Sequence, residues 1–201
     1  MNPYPYLILG LCLIPYPSFL SAAEQPNIIY ILADDMGYGD VAANNPNCKF
    51  PTPFLDRLAE EGMRFSDAHT NSSVCTPTRY GILTGRYSWR TRLKGGVLDG
   101  AAGPLIASDR TTVATFLKKQ GYNTACVGKW HLGMSWPTKD GKKPVRSRGD
   151  NIDFTQPIAN GPNDVGFDYY YGISASLNMP PHAYIAVSYT HLTLPTKRGV
   201  G

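Results

Sequence analysis

Three short clusters in this chain hold residue types able to do chemistry. Cys75 opens the run Cys75-Thr76-Pro77-Thr78-Arg79. A lone Cys ahead of a helix serves either as a small buried side chain or as a nucleophile. Arg79 lies one helical turn further on, so it can point back at residue 75 and offset negative charge there. Asp34 and Asp35 stand side by side in ADDMGYGD. Such a pair is a solvated turn or a helix cap in many chains, and in others it offers oxygen ligands to a hard divalent cation. Lys129 and His131 lie two apart in GKWHLG, so an extended backbone projects both to one side. That pair reads as an exposed Lys beside a half-buried His, or as two members of one site.

The elements around these clusters follow from local pattern. Asn27 to Ala33 (NIIYILA) is a short apolar run rich in β-branched and aromatic residues, and it predicts a buried parallel strand ending at the Asp pair. Thr52-Pro53 offers a cap and a first-turn Pro, with Phe54, Leu55, Leu58 and Ala59 at helical spacing and Gly62 as a stop, so a helix is expected. Met63 to Ala68 fits a second strand, and Thr76 to Thr84 a helix whose N-terminus sits beside Cys75. Thr112 to Gln120 is an amphipathic helix stopped by Gly121, and Tyr122 to Val127 another short strand. Strands alternating with helices predict an α/β fold, a mainly parallel sheet flanked by helices, in which function gathers where strands end. Between Trp136 and Asp164 the chain turns polar and rich in Pro, Gly and charge, as in a long surface loop.

The segment Ser72 to Arg86 (SSVCTPTRYGILTGR) resembles the signature of the sulfatase family, in which the Cys is oxidised after translation to the aldehyde formylglycine. Pro77 and Arg79 match the core read by the formylglycine-generating enzyme, while Thr78 stands where Ser is commoner. ADDMGYGD and GKWHLG are similar to two further motifs, in the family's order, and the resemblance extends over Pro26 to Ile185. It implies an alkaline-phosphatase-like fold and a sulfuric ester hydrolase, arylsulfatase-like, acting on a sulfated small molecule or glycan. The implied cofactors are Ca2+, bound by Asp34, Asp35 and residue 75, and the formylglycine itself. The hydrated aldehyde offers one hydroxyl to attack sulfur and a second whose later deprotonation expels sulfate by elimination. By the same resemblance Arg79 holds the diol, Lys129 contacts sulfate and nucleophile, and His131 and Ser176 (in GISAS) hydrogen-bond the diol. His182, His69 and the run Tyr169 to Tyr171 are expected to serve packing or loop roles, and a glycan on the sequon Asn71-Ser72-Ser73 is expected to crowd residue 75.

Sulfatases are substantially longer. Their later half supplies an Asp-Asn or Asp-His pair for calcium, a leaving-group His and another Lys, none with a counterpart here, so the resemblance implies an incomplete, inactive N-terminal part. Two other readings stay open: a phosphate or phosphonate ester hydrolase of the same superfamily, and a non-catalytic binding or structural protein. Cys75 with Pro77 and Arg79 favours sulfate.

At 201 residues, 42% hydrophobic and 17% charged, the chain has the composition of a globular protein rather than a disordered or coiled-coil one. A net charge of +4, with scattered Lys and Arg, gives no nucleic-acid signature. Residues 1–23 read as a signal peptide, with an apolar stretch Leu7–Leu13 and Ser21 and Ala23 at the cleavage positions, so the chain is expected to be exported, to the periplasm or beyond. The apolar run is too short to span a bilayer comfortably, and no stable membrane insertion is expected once it is cleaved. Export removes Cys12 and leaves Cys48, Cys75 and Cys126. Conversion of Cys75 accounts for the odd number, and the other two either pair or stay buried. Residues 24–187 are read as the catalytic domain's N-terminal part. Ser188 to Gly201 neither continue the α/β pattern nor resemble the family, and read as a non-native tail.

Overall fold

A computed structural model describes residues 25–145 and 149–193. The signal segment and most of the tail lie outside the described residues. The chain divides into two compact units, Met1–Gly37 and Tyr38–Gly201.

In the first unit, residues 25–37 run extended to a bend at Asp34 and Asp35, with Asp35 in the left-handed region at φ 63°. The strand expected over Asn27–Ala33 does not form: Ile28, Ile29, Tyr30 and Ile31 are exposed, and no described strand pairs with them. A strand of this kind takes its ladder and its burial from neighbours on both sides, and local sequence supplies neither.

The second unit opens on short 3-10 turns at Tyr38–Asp40 and Ala42–Asn44, followed by helix α1, Pro53–Glu61. Thr52 caps α1 as expected, but its hydroxyl accepts from the Ala42 amide at 2.9 Å and donates to Asp56 at 2.9 Å instead of capping a helix amide. The apolar residues Phe54 and Leu58 of α1 are exposed, so polar bonds from the 42–44 turn hold this helix. Met63–Ala68 is irregular, not a strand.

Helix α2 spans Cys75–Thr84 and ends on Gly85 at φ 65°. Helix α3, Val113–Lys119, starts with a reciprocal cap: the Thr112 hydroxyl accepts from the Thr115 amide at 3.1 Å, and the Thr115 hydroxyl from the Thr112 amide at 2.8 Å. Strand β1 is Ala125–Lys129, displaced toward the C-terminus from the expected Tyr122–Val127. The displacement has a local cause, since the Tyr122 amide closes α3 onto Leu117 and the Thr124 amide is bonded to Asp168.

β1 pairs in parallel with β2, Tyr169–Ile173; β2 pairs antiparallel with β3, Ala183–Ala186, and β3 with β4, Tyr189–Thr193. The parallel pair thus lies at one edge, extended by an antiparallel hairpin that includes the first residues of the presumed tail. The described residues between Trp136 and Asp164 form no α-helix or strand apart from a 3-10 turn that begins at Pro162, as expected of a loop, yet they deliver Trp136, Ile152 and Ile158 into the core with Tyr80, Leu98, Trp130, Leu132 and Tyr170. Of the tyrosine run only Tyr170 is buried; Tyr171 stacks on Tyr184 with ring centroids 5.6 Å apart.

Candidate active site

Cys75 is the first residue of α2, where free helical amides and the helix dipole favour an anion. The approach to it is tied down by side chains of the preceding loop. The Thr78 hydroxyl donates to Ser72 O at 2.7 Å, and Asn71 Nδ2 donates to Pro77 O at 2.8 Å. With that nitrogen engaged and half-buried, Asn71 is poorly placed to carry a glycan.

Lys129 ends β1 and reaches across to α2, where its Nζ donates to Cys75 Sγ at 3.2 Å. Arg79 faces the same way as Cys75 one turn along α2, and its Nη1 donates to the Lys129 carbonyl at 2.5 Å. Cys75, Arg79 and Lys129 therefore form one hydrogen-bonded group between a helix N-terminus and the C-terminal end of a parallel strand. Below them Cys126 and Tyr170 are largely buried. Burial pushes the Cys126 thiol up to about 11, offset in part by the charge of Arg79. Burial, and secondly Cys126, also raise the Tyr170 phenol, again against Arg79. Both groups stay protonated at neutral pH, so they add no negative charge beneath the guanidinium.

His131 departs from expectation. The strand does not continue through it: His131 sits at φ 56°, a conformation that costs a non-glycine residue about 1 kcal/mol or more. Two bonds hold it there, from its amide to Ser174 O at 2.9 Å and from its ring Nε2 to Leu98 O at 2.7 Å. It is almost wholly buried, not half-buried, and its ring bonds Leu98 while the Lys129 side chain bonds Cys75. The turn is forced just beyond, at Gly133, where φ is 73° and a Cβ would lie 2.0 Å from Gly103 O. Since a carbonyl only accepts, Nε2 must carry the proton, and a neutral imidazole then has its lone pair on Nδ1. Leu98 is fixed in turn by its amide, which donates to Thr76 Oγ1 at 3.1 Å.

Ser176 is half-buried just beyond β2, in a turn closed by the Met179 amide on Ser176 O. It is on the strand end nearest His131, but its side chain is not among the bonds that join the Cys75 group. Asp34 and Asp35 belong to the first unit, and both are exposed. No group of three or more His, Cys, Asp or Glu residues fit to hold a metal occurs among the described residues. Cys48, Cys75 and Cys126 are all free thiols, so the Cys48–Cys126 pairing left open by the sequence does not form. His69 is exposed against Asp67 at 2.5 Å, and His182 is half-buried ahead of β3.

Sequence reasoning missed three residues here. Thr76 is fully buried and Ser174 nearly so. Thr76 lies inside the motif, where its neighbours drew the attention, and Ser174 lies two residues before Ser176. Leu98 acts through its backbone, for which no residue type is a signal.

Comparison with known proteins places this arrangement. The family model described as Sulfatase matches residues 26–192. The chain is 38% identical over 163 residues to N-acetylgalactosamine-6-O-sulfatase of Bacteroides thetaiotaomicron, covering 81% of this chain and 29% of that protein. It is 41% identical over 157 residues to arylsulfatase G of Mus musculus, covering 78% and 25%. Among solved structures it resembles a Bacteroides thetaiotaomicron protein from a locus for metabolism of multiple glycosaminoglycans, with a TM-score of 0.73 at 37% identity, covering 84% of this chain and 32% of that one. A Pseudoalteromonas sulfatase follows at TM-score 0.51 and 30% identity, covering 72% and 25%. The chain thus spans less than a third of the length of these relatives. Their shared fold is alkaline-phosphatase-like, and with the motif order and strand-end site it leads to one conclusion: this chain belongs to the sulfatase family.

Proposed function

We propose that this chain is the nucleophile-bearing part of an exported, calcium-dependent sulfuric ester hydrolase whose nucleophile derives from Cys75. The observation that carries the reading is the Lys129 ammonium 3.2 Å from Cys75 Sγ, with Arg79 bonded to the Lys129 carbonyl behind it. Two fixed cations at a helix N-terminus suit an anionic group on residue 75 and the sulfate it attacks. Cys75 fits the aldehyde precursor because it is a free, half-buried thiol followed by Pro77 and Arg79. Formylglycine, once formed, supplies a hydroxyl nucleophile and a built-in route for releasing sulfate.

The chain's own residues then have separable tasks. Lys129 draws sulfate oxygens toward residue 75 and offsets charge on the nucleophile. Arg79 fixes the end of β1 through the Lys129 carbonyl, so the ammonium is held by backbone as well as by its own side chain. His131, with its proton on Nε2, offers Nδ1 to accept a proton. Ser176 offers a further hydroxyl for hydrogen bonding to the hydrated residue 75. Asp34 and Asp35 are hard oxygen donors that suit Ca2+, though two carboxylates leave an ion of about six to eight ligands in need of more. Relatives named for galactosamine and aryl sulfates support a sulfated glycan or small molecule as substrate.

The test is co-production with a formylglycine-generating enzyme, followed by peptide mass spectrometry across residue 75. Conversion to the aldehyde is expected for the natural sequence and is lost in Arg79→Ala. A residue 75 that remains thiol throughout overturns the reading.

A further inference from the structure

The buried contacts around Leu98 form a continuous strut from the residue after the nucleophile to the imidazole. Thr76 is fully buried, and its hydroxyl accepts the Leu98 amide at 3.1 Å. The carbonyl of the same residue accepts His131 Nε2 at 2.7 Å. Leu98 is itself buried, with its side chain in the core cluster of Tyr80, Trp130 and Leu132. Both polar groups of one residue are thus spent, one on α2 and one on the turn that follows β1. We infer that Thr76 is a positioning residue: through Leu98 it keeps the proton of His131 on Nε2 and so leaves Nδ1 as the nitrogen without a proton.

The reasoning is one of hydrogen-bond bookkeeping. A Leu98 amide deprived of Thr76 Oγ1 is a buried donor without an acceptor, a state costly enough to drive local rearrangement. Any rearrangement that turns residue 98 moves the carbonyl that His131 needs. The imidazole is sensitive to this because its backbone is already in the left-handed region and depends on its bonds to stay there. A valine of the same shape keeps the packing of Thr76 and removes only the acceptor.

The consequence for turnover rests on the proposed role of residue 75, but the geometry can be tested without any activity. The whole chain is labelled uniformly with 15N, and His131→Gln assigns the ring signals. The expected spectrum shows the His131 proton on Nε2, protected from exchange. In Thr76→Val that proton should exchange about tenfold faster, as one buried hydrogen bond is lost, and a second tautomer should appear. Thr76→Ser should match the natural protein. The Thr124 amide, bonded to Asp168 at 2.9 Å outside the strut, reports whether the fold is intact. An unchanged ring signal in Thr76→Val, or a natural protein with its proton on Nδ1, overturns the inference. If Thr76→Val loses Thr124 protection as well, the tautomer of the natural protein and of Thr76→Ser decides the matter. Failure of the sulfatase reading shows instead as absence of aldehyde at residue 75, with these ring signals untouched.

Discussion

Gly172 is where the join between β1 and β2 is tightest, and its substitution gives the sharpest test of the fold beneath the site. Gly172 pairs with Gly128 across the two parallel strands. A Cβ built on it would lie 1.7 Å from Gly128 O, 2.6 Å from Gly128 C and 2.9 Å from the Tyr170 hydroxyl. Real Cβ contacts essentially never fall below 3.0 Å, so Gly172→Ala must part the strands by about an ångström at this point. The obstacle is backbone, which cannot rotate away as a side chain tip can. The bonds at risk are Tyr170 Oη to Gly128 O at 3.2 Å and the amides of Trp130 and His131 to Ile173 O and Ser174 O, each at 2.9 Å. Overpacking of this kind costs about 1–3 kcal/mol, and the loss of two or three of those bonds adds about 1 kcal/mol each, so about 3 kcal/mol or more is expected. With a urea slope of about 2 kcal/mol per molar, the unfolding midpoint should fall by about 1.5 M. Gly103→Ala, whose added carbon meets nothing within 4 Å, is the matched control and should leave the midpoint unchanged. Equal midpoints for the two variants would refute the close approach of β1 and β2, and with it the placement of Lys129.

Two further outcomes follow from charges. The hydrogen bond from Lys118, then those from the Thr124 amide and hydroxyl, lower the Asp168 carboxyl from 3.8 to about 2. A depressed folded value means stability that is present above the ordinary value and lost as pH falls through the folded one, so the natural protein should weaken between about pH 4 and about pH 2. Asp168→Asn should be the less stable form at neutral pH and converge with the natural protein near the acid end, as read by urea midpoints; parallel curves across that range would contradict the assignment. On the proposed metal role, Asp35→Asn in a longer form that carries the remaining ligands should weaken calcium binding about tenfold by calorimetry, through loss of one charged ligand. The substitution is clean because Asn tolerates the left-handed conformation Asp35 adopts, so unchanged affinity in both the Asp34→Asn and Asp35→Asn forms points away from these carboxylates.

What the sequence could show depended on how far each feature reached along the chain. α2 and α3 were legible because their caps and stops are local: Cys75 to Gly85 and Thr112 to Gly121 carry their own punctuation. β2, β3 and β4 were not foreseen, since the aromatic run at Tyr169 and the short segment at Ala183 become strands only by pairing with each other and with β1. The converse failure is Asn27–Ala33, whose composition is that of a strand while no described strand pairs with it. The loop after Trp136 looked like surface because its charges outnumber its apolar residues, yet three apolar side chains spaced along it suffice to pin it to the core.

The site divides along the same line. Residue types made Cys75, Arg79 and Lys129 readable, and the structure joins them through side chains. The spacing of Lys129 and His131 suggested a common face, an inference valid only while the strand continues. It stops at Lys129 because the chain must fold back onto 102–105, where the Met134 amide reaches Ala102 O at 3.0 Å and the Leu105 amide reaches Leu132 O at 2.9 Å. Only glycine at 133 lets the two backbones come that close. Breaking the strand between the two residues leaves Lys129 bonded to Cys75 at the start of α2 and His131 bonded to the Leu98 carbonyl, so the two side chains serve different partners. A continuous strand would have set both on one side, with no carbonyl to fix the ring.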